Sequence, residues 1–331
     1  MKHVLIFSDL EGVAGIYNML DVDECSEMYT QEIGVIVETL IEIGIKRITV
    51  CDIHDKGDLI CKELIEANNM GIGANIRLIP FVDGLPFDEK YDIAILVGFH
   101  GMEGSPGIMP HTIRFDFQEA SIFRSDSNEN IPVGEVEIYS RWLGAKGVPV
   151  ILVIGDREAT YEANCFTPYR QVCCLKSRFQ LHLIDVAPLH QKLRRSVENA
   201  LSLDEKLCIS EDNDRIFLMF KNQDVIDILE EVGYHRKDNR IYFENCTSFI
   251  DELYTLVNHL EQINISLMEL NQAFIREIRE LKKDLKKEDV ANSEIGTLLK
   301  GTILSLDKVS RGKIRAWAEE ISSNSQSNTS K

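Results

Sequence analysis

The stretch "VLIFSDLEG", residues 4–12, sets the apolar run Val4-Leu5-Ile6-Phe7 against Ser8 and two carboxylates spaced by two, Asp9 and Glu11. A short apolar run without polar alternation reads as a strand buried on both faces. The pattern recurs in "RITVCD" at 47–52, "IRLIP" at 76–80, "DIAILVGFH" at 92–100 and "VPVILVIGD" at 148–156. Between the first two runs, Ile33, Ile36, Val37, Leu40 and Ile43 fall at helical spacing, with Gly44 as the C-terminal stop. A second helix is expected around 58–69. Strands alternating with helices predict an α/β fold: a layered, mostly parallel sheet flanked by helices.

From about residue 186 the pattern changes. "DRIFLMF" (214–220) and "NRIYFE" (239–244) read as strands around the helical "VIDILEEV" (225–232), a smaller α+β C-terminal subdomain. Past Phe249 a heptad seam begins, with Leu253, Leu260, Leu267, Phe274 and Leu281 at one position. Ile250, Val257, Asn264, Asn271, Ile278 and Leu285 occupy the other. The domains expected are therefore 1–188 (α/β, metal-binding and catalytic), 189–262 (α+β), 263–321 (a coiled-coil-like helical tail) and 322–331 (a polar, disordered end).

The chain has 331 residues and a formal charge of −18, while residues 264–331 carry 12 basic and 10 acidic side chains. So acidic a surface repels phosphate backbones, which argues against a nucleic-acid partner. No apolar run approaches the roughly 18 residues of a membrane span. A strand pattern that starts at Val4 leaves no room for a signal peptide, so a cytoplasmic protein is expected. The eight cysteines form no CxxC pair and are expected as small buried apolar residues.

The chemistry concentrates where the strands end. Alternation along an extended strand end would turn Asp9 and Glu11 the same way, and ligand sites of doubly wound sheets gather outside the carboxyl ends of strands. The second run ends in Asp52 and His54, and the fourth run delivers His100 just before the Gly/Pro-rich loop that carries His111. "IPVGEVEIYS" (131–140) adds Glu135 after a glycine. Carboxylates with a minority of imidazoles are the donor set for a hydrolytic pair of zinc, manganese or similar ions. Asp52 is a candidate to orient His54 or to approach a metal itself. Asp156 and Arg157 read equally as a structural or a site pair.

The blocks "SDLEG", "DIHDK", "GFHG", "SPGIMPH", "PVGE" and "GDREA", in this order, resemble the zinc-dependent D-aminopeptidases over about residues 1–262. The resemblance implies two zinc ions per subunit (Mn2+ or Co2+ in their place being open), held by Asp9, Glu11, His54, His100 and Glu135. It implies His111 as the catalytic histidine and a short peptide as substrate. Asp9 would bridge the ions, with Glu11 and His54 completing one site and His100 and Glu135 the other. Homo-oligomerisation, as a ring of ten subunits, is implied as well, although residues 264–331 run past the family's usual end. Two rival readings stand beside it: a different metal-dependent amidohydrolase on this scaffold, and a non-catalytic assembly protein using the C-terminal heptads.

Overall fold

Six strands line up in parallel in the order β3-β2-β1-β4-β7-β8. They are β1 (His3–Ser8), β2 (Arg47–Asp52), β3 (Asn75–Pro80), β4 (Ile93–Phe99), β7 (Val150–Asp156) and β8 (Gln171–Lys176). The computed structural model describes residues 2–17, 22–54, 57, 59–60, 74–81, 90–113, 120–126, 129–179, 185–253 and 255–260. The helix expected around 58–69, the heptads beyond Leu260 and the polar end at 322–331 lie outside the described residues.

Four of the five apolar runs become interior strands covered on both faces, whereas the run at 76–80 forms the part-exposed edge strand β3. Val4 and Ile6 share a core with Ile33, Ile36, Val37 and Leu40 of α1 (Val22–Glu42), and with Leu193, Val197 and Ala200 of α4 (Val186–Leu201). Alternation sends Phe7 to the other face. There its ring meets Tyr139 of α2 (Glu135–Ala145) at 4.9 Å and Phe81 at 5.4 Å. Each fully buried aliphatic or aromatic side chain of this kind contributes on the order of 2 kcal/mol relative to exposure.

Helix α1 starts well before the periodic stretch that announces it. Its first turns, "VDECSEMYTQE", are mostly polar, yet Cys25 and Tyr29 are buried. It stops where expected: Gly44 adopts φ +98° and its N–H reaches Ile41 O, while Ile45 N–H reaches Leu40 O. Sequence reading did not anticipate β8, α2, α3 (Arg157–Phe166), or the antiparallel hairpin of β5 (Ala120–Asp126) and β6 (Glu129–Pro132).

Among the described residues the chain divides into two compact units, one drawn from 1–116, 121–216 and 244–250, the other from 120, 217–243 and 251–260. The strand, helix, strand order read from 214–244 is present, while the first unit runs on to 216 and takes up 244–250. The β9 strand (Arg215–Phe220) leads into α5 (Gln223–Glu231), followed by the antiparallel β10 (Arg236–Lys237) and β11 (Arg240–Phe243). Phe217, Phe220, Val225, Ile226, Leu229 and Ile241 are buried there. Five of the described cysteines are buried, as expected, whereas Cys165 is exposed and Cys174 half-buried. Among the described residues, no helix is long and apolar enough to cross a membrane.

Candidate metal centre

Strand β1 lies between β2 and β4 with their ends level: Ser8 is paired with Asp52 on one side and with Val97 on the other. Neighbouring strands stand roughly 4.8 Å apart, so residues just past these three ends are delivered to one spot. His54 follows β2 by two residues and His100 follows β4 directly. Asp52 Oδ1 accepts from the backbone N–H of His54 at 3.1 Å and from the Tyr29 hydroxyl at 3.0 Å. Its support for His54 thus runs through the backbone.

Asp9 and Glu11 converge for a different reason from the alternation that suggested them. The strand ends at Ser8, and the chain then turns. Asp9 N–H still reaches Val97 O at 2.8 Å, but Gly12 N–H reaches Gly98 O at 2.6 Å, folding residues 9–12 over the end of β4. A Cβ at Gly12 would fall onto the carbonyl of Phe99, so only glycine permits this approach.

Glu135 is the first residue of α2, and its Oε1 accepts from Ile113 N–H at 2.7 Å. Ile113 holds φ +51° to make that bond, a strained conformation for a β-branched residue and one that gathers at functional sites. Asp156 does two things: Oδ1 caps α3 through Ala159 N–H at 2.8 Å, and Oδ2 accepts from Gly101 N–H at 3.2 Å, beside His100. Asp156 is therefore a brace behind the site.

All six sequence-derived residues come together. Glu11 Oε2 lies 3.0 Å from His54 Nδ1, and Asp9 Oδ1 lies 3.4 Å from the same nitrogen. Asp9 Oδ2 faces His100 Nε2 at 3.4 Å, with Glu135 Oε1 at 3.6 Å from that atom. His111 stacks on His100, ring centroids 4.0 Å apart at 13°, and its Nε2 is 3.8 Å from Glu11 Oε1. Two groups each offer three donor atoms within 4.8 Å of one another: Asp9, Glu11 and His54, and His100, His111 and Glu135.

The electrostatics show what such a cluster demands. Burial and the neighbouring Glu11 push Asp9 up to about 7. Burial would raise Glu11 too, but its hydrogen bond and charge interaction with His54 hold it well below the usual carboxylate range. Burial would lower both imidazoles, yet the facing carboxylates raise His54 and His100 to about 10. Glu135 is likewise held low, by His100 against its own burial. Three buried carboxylates are thus balanced against two facing imidazoles.

The donors fit a metal pair. Asp9 Oδ2 and His100 Nε2 are buried without a hydrogen-bond partner among the described residues, an arrangement that is costly unless a charge satisfies both. Gly101 O lies 3.0 Å from His100 Nδ1. A carbonyl only accepts, so Nδ1 carries a proton in either charge state, and the Nε2 proton is the one that a bound cation would displace. Oxygen and imidazole donors are what zinc, manganese and cobalt accept.

Comparison with known proteins places the chain among relatives. Over 209 residues, 60% of this chain and 73% of the relative, the sequence is 25% identical to the D-aminopeptidase of Bacillus subtilis (strain 168). The fold is similar to the solved structure of a Zn-dependent D-aminopeptidase from Bacillus subtilis, described as a self-compartmentalizing protease. The TM-score is 0.62 at 20% identity, covering 77% of this chain and 97% of that one. A family model described as D-aminopeptidase matches residues 1–254 without a break, and the chain therefore belongs to the D-aminopeptidase family, peptidase family M55.

Proposed function

We propose that this chain is a metal-dependent aminopeptidase that releases an N-terminal D-amino acid from short peptides, with a zinc pair held by Asp9, Glu11, His54, His100 and Glu135. The observation that carries this reading is Asp9, whose two oxygens address two different imidazoles at 3.4 Å each, so that it would serve both donor groups. Such an ion pair, when bound, supplies Lewis acidity toward the scissile carbonyl and lowers the pKa of a nearby water.

His111 moves the proton. Its Nδ1–H donates to Met109 O at 3.0 Å, which leaves Nε2 as the exchanging atom. As the water oxygen adds to the carbonyl carbon, Nε2 takes its proton. As the C–N bond breaks, Nε2 delivers that proton to the leaving amine. Glu11 Oε1 lies 3.8 Å from this nitrogen. The donor grouping of His111 with His100 and Glu135 supports a second reading, in which His111 is itself a ligand. The self-compartmentalizing character of the similar solved protein supports an assembled form here, for which the ring of ten is the proposal.

The test pairs metal content with hydrolysis of matched D- and L-aminoacyl amides by the purified full chain. Stoichiometric zinc, loss of activity on chelation, recovery on zinc addition and a D preference are expected. A chain that retains no metal overturns the reading, and metal-dependent hydrolysis of other amides alone transfers it to the rival amidohydrolase.

A further inference from the structure

Residues 9–17, the turn that carries Asp9 and Glu11, form no helix or strand, so their buried backbone groups need partners from elsewhere. Asp9 and Gly12 N–H are met by β4 carbonyls, and Val13 N–H by Leu10 O within the turn. Three more groups are met by side chains that the sequence did not single out. Lys176, at the end of β8, sends its ammonium to Glu11 O and Ile16 O. Glu32, on α1, accepts Ala14 N–H at 2.7 Å through Oε1. Lys176 is 1% exposed and Glu32 3%, so neither is a surface group that happens to touch the turn.

We propose that Lys176 and Glu32 form a positioning clamp for the metal-binding turn, Lys176 holding Glu11 by its own carbonyl and Glu32 holding the turn two residues beyond Gly12. The inference deepens the metal-centre reading and rests on it. The geometry supports this role over plain core support. A lysine ammonium has donors and no lone pair, so it serves no cation as a ligand. Its bond falls on the carbonyl of the residue whose carboxylate meets His54 and His111. The clamp draws on two elements distant in sequence, α1 and the edge strand β8, whose Glu32 and Lys176 charges also attract each other. Motion of either contact changes the direction of Glu11 Oε2 without disturbing His100 or Glu135, which Gly101 and Ile113 hold separately.

The experiment is Co2+ titration of the full-length chain, followed by the visible ligand-field spectrum, for the wild type, Lys176→Met, Glu32→Gln and Glu32→Leu. Melting curves are run in parallel. Supporting residues behind ligands are worth roughly 10–100-fold in metal affinity. Lys176→Met is expected to weaken one of two Co2+ events by at least that lower factor and to alter its spectrum, leaving the other event intact. Glu32→Gln keeps the acceptor and is expected to bind as the wild type does, whereas Glu32→Leu is expected to share the Lys176→Met defect. Unchanged affinity and spectrum in Lys176→Met overturn the clamp. Should that variant show no melting transition, the Glu32 pair decides, and equal binding by Gln and Leu overturns it. A wild type that takes up no Co2+ defeats the metal-centre reading instead.

Discussion

His111 differs from its five neighbours in access. Its side chain is 21% exposed, against 2–8% for the others. A ligand gains from being sealed off, while a group that takes a proton from one molecule and gives it to another must be reachable. Replacing it with alanine is therefore expected to lower kcat on the order of 10²-fold or more while metal content stays near that of the wild type. Elemental analysis beside turnover checks both halves of the prediction. Metal lost in proportion to activity would make His111 a ligand. The stacking on His100 adds a control, because removal of one ring of the pair exposes the other.

At the scale of elements, α2 begins at Glu135, one of the candidate metal donors, and lacks a side-chain cap at Gly134. The missing cap comes from the next helix: Glu162 of α3 accepts Glu137 N–H at 2.9 Å through Oε1. Gly134 leaves room for this, since a Cβ there would strike the Glu162 carboxyl. Burial pushes Glu162 up to about 8 from the ordinary 4.5, with the Glu137 and Glu135 charges adding to the shift and the Glu137 N–H opposing it. The folded protein therefore holds this proton more tightly than the unfolded chain does. The stability gained is full below the unfolded value and is lost as pH rises through the folded one. Glu162→Gln keeps the accepting oxygen and cannot ionise, so wild-type melting temperature should fall relative to this variant between about pH 5 and about pH 9. Two melting curves that stay parallel across that range would remove the claim.

For the whole molecule, charge and assembly go together. The chain carries −18, but residues 264–331 carry 12 basic against 10 acidic side chains. An acidic body and a mildly basic heptad segment favour contacts made by the segment over contacts between bodies. Deletion of 264–331 is expected to change the size of the particle on a sizing column and to leave zinc content unaltered. An unchanged particle would mean that the heptads pack within one chain.

The strands were legible because their information is local. Unbroken apolar runs such as Ala94–Val97 belong on a doubly covered sheet, and the ends of β1, β2 and β4 lay within a residue or two of their expected places. The donor types at Asp9, Glu11, His54, His100, His111 and Glu135 were legible too, since imidazoles and carboxylates after apolar runs have little packing use. Other features were visible only in three dimensions. Glu11 reaches the site on a turn instead of by strand alternation, because Gly12 lets the backbone rest on Phe99. Glu162, Asp156, Glu32 and Lys176 act through backbone groups far from them in sequence, and no residue pattern marks such a contact in advance. The sequence by itself determined the strand-and-helix alternation and the chemical nature of the candidate donors. The tertiary structure decided their convergence, because strand order and register, which place three chain-distant ends side by side, are set by packing between elements.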